Sequence, residues 1–322
     1  MSKAPHEIKI DVGDVRTRPS QLTVNLSDKH GALSYTVGAN LNHGNSMFRP
    51  LERVEERNAQ GEVVGLRQTV SHNNYQFTGL YLNARLNWLL ADGSTVCWQT
   101  VASGARYNGT SDQRTDTQVG SRYPLPELDV CFSGVNTVVR SDVGWVSKLG
   151  ESGKLDTKVG IYMLDNERGM VRTARNDAGA VILDRRYSTY VDDHGATYTS
   201  KLSFGWAKRH ALAVGWDIGH GKYDEREVQD ESMAVSNLAP RDFDNAFTAS
   251  ISRAALYVQD EWDVSDALSL YLGMRGESVN TRTSGAHFST LAHSRVISPL
   301  MQALYKIPGA KNDQLRFALT RT

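Results

Sequence analysis

Apolar and polar residues alternate one by one along many stretches of this chain. Residues 80–90, LYLNARLNWLL, place leucine, alanine and tryptophan on one parity and tyrosine, asparagine and arginine mostly on the other. A β-strand sends successive side chains to opposite faces, so each such stretch predicts a strand with one apolar and one polar face. The same pattern recurs over residues 201–206, 212–219 and 254–278.

Two kinds of connection separate these predicted strands. Short polar turns lie near residues 28–31, 91–94, 150–153, 208–210, 264–266 and 308–312. Polar segments near residues 45–71, 106–133, 168–195 and 224–250 are too long for ordinary hairpin loops, and we predict them as long loops. The fold class is therefore all-β, an antiparallel up-and-down meander of about 13 strands that begins at Glu7–Val12 and ends at Gln314–Thr322.

The six tryptophans indicate what surrounds the apolar face of this meander. They are Trp88, Trp98, Trp145, Trp206, Trp216 and Trp262. Each lies on a predicted strand within about eight residues of a short turn and shares parity with the apolar face. Tryptophan collects at membrane–water interfaces because its ring is apolar and its N–H needs a polar partner. The alternative is a row of core aromatics in a soluble sandwich, but such a core would not need all six beside the short turns.

Short turns at one end and long loops at the other are the layout of an outer-membrane barrel. The meander is thus predicted to form part of a transmembrane β-barrel, with its apolar face in outer-membrane lipid and its polar face inside. The lumen-facing candidates are Arg85, Tyr257, Gln259, Glu261, Tyr271, Arg275 and Glu277. A closed barrel also leaves no sheet edge that lipid would have to solvate.

Composition and motifs indicate no enzyme. Lys and Arg total 36, as do Asp and Glu, so the charge balance points to no nucleic-acid partner. No run of 18 apolar residues occurs, which excludes a transmembrane helix. The nine histidines show no metal-ligand spacing, and no Gly-x-Ser-x-Gly motif occurs. We predict no catalytic residue, no cofactor and no metal, and we interpret Asp224, Glu225 and Glu227 as solvated loop residues.

The two cysteines, Cys97 and Cys131, form no disulfide framework. They are either one disulfide or two unrelated thiols. Since Cys97 lies near a short turn and Cys131 at the opposite end of the meander, the strand directions predict no close approach.

Residues 254–278 carry a resemblance to a known family. AALYVQDEW, a turn and LSLYLGMRGES resemble barrel strands of TonB-dependent outer-membrane receptors, in which a Tyr-x-Gln-Asp-x-Trp strand precedes a strand that ends in Gly-x-Arg. The matching residues are Tyr257, Gln259, Asp260, Trp262, Gly273 and Arg275. Residues 297–322 and 31–45 look similar to further strands of that family.

The resemblance implies a transport protein in the outer membrane of a Gram-negative bacterium, which takes up a scarce extracellular ligand such as a ferric siderophore. The family's barrel has 22 strands, encloses an N-terminal plug and follows a short box that contacts the TonB system. Residues 1–322 match barrel strands alone, so we expect a barrel fragment without the plug, the TonB-contacting box or the C-terminal strands. Two alternatives are a passive porin-like channel and a non-membrane β-rich surface or adhesion module.

Overall fold

The computed structural model describes residues 6–11, 20–233, 241–309 and 313–320, which form one antiparallel sheet of 14 strands. No helix able to cross a membrane occurs in these ranges. The strands are β1 (His6–Asp11), β2 (Ser20–His30), β3 (Leu33–Phe48), β4 (Leu51–Arg57), β5 (Val63–Leu89), β6 (Thr95–Val119), β7 (Glu127–Leu149), β8 (Gly153–Arg175), β9 (Val181–Ala207), β10 (His210–Met233), β11 (Phe243–Asp263), β12 (Leu268–Gly285), β13 (Phe288–Lys306) and β14 (Gln314–Thr320).

The strands pair almost entirely in chain order. The sheet runs β1-β2-β3-β5 and then consecutively to β14, while β4 pairs with β5 beside this path. Strands β1 and β14 lie at the two edges of the described sheet, which is not closed. The predicted all-β antiparallel meander is confirmed. The extra strand, β4, lies in segment 45–71, where we had predicted a loop.

The four segments predicted as long loops are mostly strands, so that part of the prediction is wrong. Strands β5 and β9 each hold 27 residues, far more than a turn-to-loop span across a membrane requires. Two hairpins close at tips of the form Asn-x-x-Gly, where the side-chain oxygen of Asn58 or Asn176 accepts two backbone N–H groups. The segments escaped prediction because both of their faces are polar, so the alternation that marks a strand is lost.

The opposite end of the sheet has tight turns. The strand ends place them between His30 and Leu33, Leu89 and Thr95, Leu149 and Gly153, Ala207 and His210, and Asp263 and Leu268. Of the turn expected near residues 308–312, residues 310–312 lie outside the described part of the chain. One turn residue, Arg209, has a φ of 65°, and its guanidinium donates to Asp266 at 3.0 Å. This ion pair ties the β9–β10 turn to the β11–β12 turn.

The sheet has almost no hydrophobic core. In the described ranges five hydrophobic residues are buried, namely Val130, Ala174, Leu183, Ala213 and Ala255. Large apolar side chains are exposed instead, among them Leu256 at 61% and Ile297 at 66%. Leaving one such side chain in water rather than an apolar medium costs about 1.5–3 kcal/mol. A sheet with this distribution needs an apolar environment outside itself.

Glycine allows close packing on the side of the sheet opposite the exposed apolar side chains. A Cβ built on Gly134 would lie 2.4 Å from the Tyr107 Oη and 2.7 Å from the backbone oxygen of Glu167, whereas one built on Gly276 would meet nothing within 4 Å. We expect Gly134→Ala to lower the free energy of unfolding by about 1–3 kcal/mol through overpacking. Gly276→Ala is the matched control. Urea unfolding of the refolded chain in detergent measures both, and equal midpoints for the two variants would contradict the packing described.

Candidate ligand-facing wall

Cross-strand register places all six tryptophans on one face of the sheet, which we call the Trp face. Directly paired residues lie on the same face, and one unbroken line of pairs runs Trp88, Val96, Trp145, Thr157, Ser200, Trp216 and Leu256. Trp98, Trp206 and Trp262 each stand an even number of residues from a member of that line. Trp206 lies at a β-bulge, but its ring approaches His210 at 5.6 Å, and His210 stacks on Trp262 at 5.2 Å.

The Trp face changes character along the strands. On β10 its residues are apolar from Leu212 through Ile218 and then become polar at His220 and Lys222. One line of direct pairs runs from Ile218 through Ala254 and Ser278 to Arg295. The Trp face of β11, β12 and β13 also changes from mainly apolar to mainly polar residues near this line. His210, which stacks on Trp262, and the apolar residues from Leu212 to Ile218 together cover nine residues of β10. A tilted strand needs about 9–11 residues to cross a bilayer.

The seven residues predicted to face a lumen all lie on the opposite side, which we call the polar face. Four of them come together, since Tyr257, Gln259, Tyr271 and Arg275 line one cavity of about 370 Å³. The hydroxyl of Tyr271 donates to Gln259 Oε1 at 2.5 Å. Four polar side chains in one concave site can orient a ligand by hydrogen bonds and charge.

An ion-pair network extends this cavity along the polar face. Arg275 lies 3.2 Å from Glu277 Oε2 and 3.7 Å from Asp217 Oδ2. Arg253 approaches the other oxygen of Asp217 at 3.8 Å. Asp217 and Arg253 were missed by sequence reasoning, because their nearest neighbours on the same face of their own strands are small or apolar. The β10–β11 register, which places both residues on the polar face and near each other, was the signal that could have predicted their contact.

Two of the predicted residues are not part of this cluster. Glu261 lines a separate cavity of about 650 Å³ near the short turns, together with Tyr271, Gln302 and Arg316. Arg85 lies on β5, which five strands separate from β11, and it forms no ion pair with any described residue. The parity of the strands predicted the face of each residue, but it did not predict which of them would meet.

Carboxylates and tyrosines form a second set of contacts on the polar face, at the end far from the short turns. Glu225 and Glu227 of β10 accept hydrogen bonds from Tyr223 at 2.5 Å and Tyr187 at 2.7 Å. Farther along, the nearly buried Glu231 accepts from Arg185 Nε at 2.6 Å. The interpretation of Glu225 and Glu227 as solvated loop residues is therefore wrong.

Asp224 was predicted to lie in the same loop, but it lies on the Trp face of β10. It accepts hydrogen bonds from Lys222 at 2.6 Å and Thr248 at 2.6 Å. These two contacts hold the pKa of Asp224 below its usual range.

An aromatic group also lies on the polar face. The ring of Tyr75 is 6.0–6.1 Å from the rings of Phe77, Tyr107 and Phe132, measured between centroids. Two of its members, Tyr107 and Phe132, fall in segment 106–133, which we had predicted as a loop. Recognition of this group from the sequence would have required the β5–β6–β7 register.

The cysteines are far apart. Cys97 is paired with Gly144, while Cys131 is paired with Thr110, thirteen residues farther along β6. At about 3.3 Å per residue the two thiols are roughly 40 Å apart, and both are free. The expectation of no close approach agrees with the structure. Within the described ranges, no three His, Cys, Asp or Glu side chains come together in a way that could hold a metal ion.

Comparison with known sequences identifies the class of protein. Residues 16–315 match the TonB dependent receptor-like β-barrel family, so the chain belongs to that family. A search of curated protein sequences gave no match.

Solved structures with a similar fold are outer-membrane proteins of low sequence identity. BauA, the ferric preacinetobactin receptor from Acinetobacter baumannii, is 9% identical, with 95% of this chain and 46% of that chain covered at a TM-score of 0.42. The FpvAI–pyocin S2 complex is 13% identical, with 98% of this chain and 43% of that chain covered at a TM-score of 0.40. The outer membrane protease OmpT from Escherichia coli is 10% identical, with 84% of this chain and 96% of that chain covered at a TM-score of 0.26. The chain thus spans less than half the length of BauA and of the matched chain in the FpvAI–pyocin S2 complex. The family assignment depends on the sequence match alone.

The Tyr223–Glu225 contact lies beyond the apolar part of β10 and changes the pKa of the Tyr223 hydroxyl. Donation to the Glu225 carboxylate, together with burial and the nearby Asp193, raises the pKa of Tyr223 to about 12. The protonated hydroxyl therefore adds stability that is complete below pH 10 and is lost as the pH rises toward 12. We expect Glu225→Gln to move this pKa back toward 10. Tyrosinate absorbance at 295 nm measures it, with Tyr223→Phe to assign the transition; an unchanged titration in Glu225→Gln would contradict the contact.

Proposed function

We propose that this chain is a barrel wall of a TonB-dependent receptor, which takes up a scarce ligand of the ferric siderophore class across a Gram-negative outer membrane. The observation that carries the proposal is the family match over residues 16–315. The segregation of the two faces of the sheet supports it independently. The receptor's TonB system and its extracellular ligand are the partners this implies, and no enzymatic step is part of the proposal.

In this proposal the Trp face lies against lipid. Its apolar residues are exposed, and the border at Ile218, Ala254 and Ser278 is where the strands leave the hydrocarbon. Tryptophans beside the short turns suit the periplasmic interface, where a ring can remain apolar while its N–H stays wet. The Trp98 Nε1 donates to Ser141 at 3.0 Å, so this indole is anchored by a polar partner.

The polar face then lines the interior. The cavity at Tyr257, Gln259, Tyr271 and Arg275 offers two phenols, one amide and one guanidinium to whatever fills the barrel. Farther from the short turns, the Tyr75 aromatic group and the Tyr223 and Tyr187 contacts give a mixed aromatic and acidic wall. Such a surface suits a ligand that carries both flat rings and polar groups, because rings stack and phenols donate or accept.

Long hairpins at the end of the sheet opposite the short turns also support the proposed receptor function. Strands β5 to β10 continue well past the border of the apolar band, and they project as paired ladders rather than as loose loops. Because their backbone groups are paired along the ladders, these extensions are expected to be rigid walls around an extracellular entrance.

Energy-coupled uptake distinguishes the proposal from a passive channel. We expect loss of the gene from its bacterial host to reduce uptake of radiolabelled iron from a ferric siderophore at least about tenfold. Uptake by the intact strain should stop when the proton-motive force is collapsed with an uncoupler, because the TonB system depends on that force.

Two outcomes would contradict the proposal. Uncoupler-resistant diffusion of small solutes, with an open conductance in planar bilayers, would favour a porin-like channel. If a strain without the gene takes up every siderophore tested as well as the intact strain does, the protein is not a siderophore receptor. A strain that carries a restored copy of the gene is the control in both assays.

A further inference from the structure

A shallow groove lies on the Trp face at the border of the apolar band. It has a volume of about 440 Å³, and its lining includes Trp216, Ile218, Leu256 and Ile297. Its lining also includes the small residues Ala254 of β11 and Gly276 and Ser278 of β12, of which Ala254 and Ser278 pair directly. Bulky apolar side chains thus stand beside small ones along this groove.

Positive charge lies at the polar end of this groove. Arg295 lines the groove itself and pairs directly with Ser278. Arg282 is four residues beyond Ser278 on β12, which places the two arginine Cα atoms about 14 Å apart. Both side chains are exposed, and neither forms an ion pair with a described residue.

No carboxylate on the Trp face lies beside these two arginines. Glu277 also lines the groove, but its side chain belongs to the polar face, where it pairs with Arg275 at 3.2 Å. Among the residues of β12 and β13 that the register places on the Trp face, none is Asp or Glu. The nearest carboxylate on the Trp face of β10 is Asp224, and Lys222 already binds it at 2.6 Å. His293 on β13 lies between the register positions of the two arginines, and its ring hydrogen-bonds Asn280 at 2.5 Å. His220 lies in the same row of pairs but on β10, where its ring hydrogen-bonds Ser252 at 2.9 Å.

We propose that this groove binds a phosphorylated, multiply acylated lipid of the outer leaflet, with phosphate on Arg282 and Arg295 and an acyl chain along Ala254, Gly276 and Ser278. Guanidinium groups match phosphate oxygens in bidentate geometry. The arginines lie at the end of the apolar band away from the short turns, which is the level of the outer-leaflet headgroups in a barrel whose short turns are periplasmic. The inference rests on the proposed placement of the Trp face against lipid, and it adds a binding site that transport does not require.

The test uses the full chain in a neutral detergent, titrated with diphosphoryl lipid A and separately with phosphatidylethanolamine, with binding followed by native mass spectrometry. We expect a clear preference of the wild-type chain for the diphosphoryl lipid. The double variant Arg282→Gln with Arg295→Gln should bind it at least about tenfold more weakly, since each basic residue near a membrane surface contributes to anion binding. Inorganic phosphate at the same concentration should not compete, because it lacks the acyl chain.

Matched controls separate this site from general charge. Arg53→Gln with Arg186→Gln removes the same charge from two exposed arginines elsewhere in the sheet and should leave binding unchanged. Arg282→Lys with Arg295→Lys keeps the charge but loses the bidentate fork, so its binding should fall between wild type and the glutamine variant. Gly276→Leu places a side chain on the floor of the groove, where a Cβ has nothing within 4 Å, and it should weaken lipid binding severalfold.

The outcomes are separable from those of the transport proposal. Heat-modifiable migration reports whether the barrel forms. A folded chain that binds both lipids equally, or whose Arg282→Gln and Arg295→Gln variant binds as wild type, overturns the lipid site and leaves uptake untouched. A chain that never enters the outer membrane contradicts both proposals.

Discussion

The backbone hydrogen bond is the interaction on which the rest of this structure depends. In a hydrocarbon medium an unpaired N–H or C=O costs several kcal/mol, so strands that cross a bilayer must pair along their whole membrane length. The meander satisfies this by pairing each main strand with its neighbour along the chain, from β5 and β6 through to β12 and β13. With the backbone satisfied within the sheet, side chains are free to be apolar on one face and polar on the other.

The absence of a core follows from the same constraint. A sheet whose apolar residues face outward buries little of its own surface, and in the described ranges only five hydrophobic residues are buried, three of which are alanines. The polar face is packed in a different way, with tyrosines lying over glycines, as Tyr107 does over Gly134 and Tyr257 over Gly215. The ion pairs of Arg275 lie on this same face, so the proposed ligand-facing wall and the proposed lipid surface are two sides of the same strands.

How much the sequence could predict depends on where a residue lies relative to the apolar band. Within the band, one-by-one alternation predicted the strands, their faces and the shared side of the six tryptophans. Beyond it both faces are polar, so segments such as 168–195 were predicted as loops although they are paired strands. The Tyr223–Glu225 contact joins residues two apart on β10 and was missed because that segment was predicted as a loop. The Arg275–Asp217 contact depends on register between strands, which a single sequence does not carry. The Arg282–Arg295 pair was hidden for the same reason.

The central claim is that the Trp face contacts lipid and the polar face does not. Adjacent residues on β12 test it most directly, since Leu272 and Tyr271 differ only in face. In a Cys97→Ser and Cys131→Ser background, a fluorescent label on a single cysteine at either position would be measured with the full chain in vesicles that contain nitroxide-labelled acyl chains. We expect strong quenching at Leu272→Cys and little at Tyr271→Cys. Equal quenching at the two positions, or the reverse order, would contradict the account.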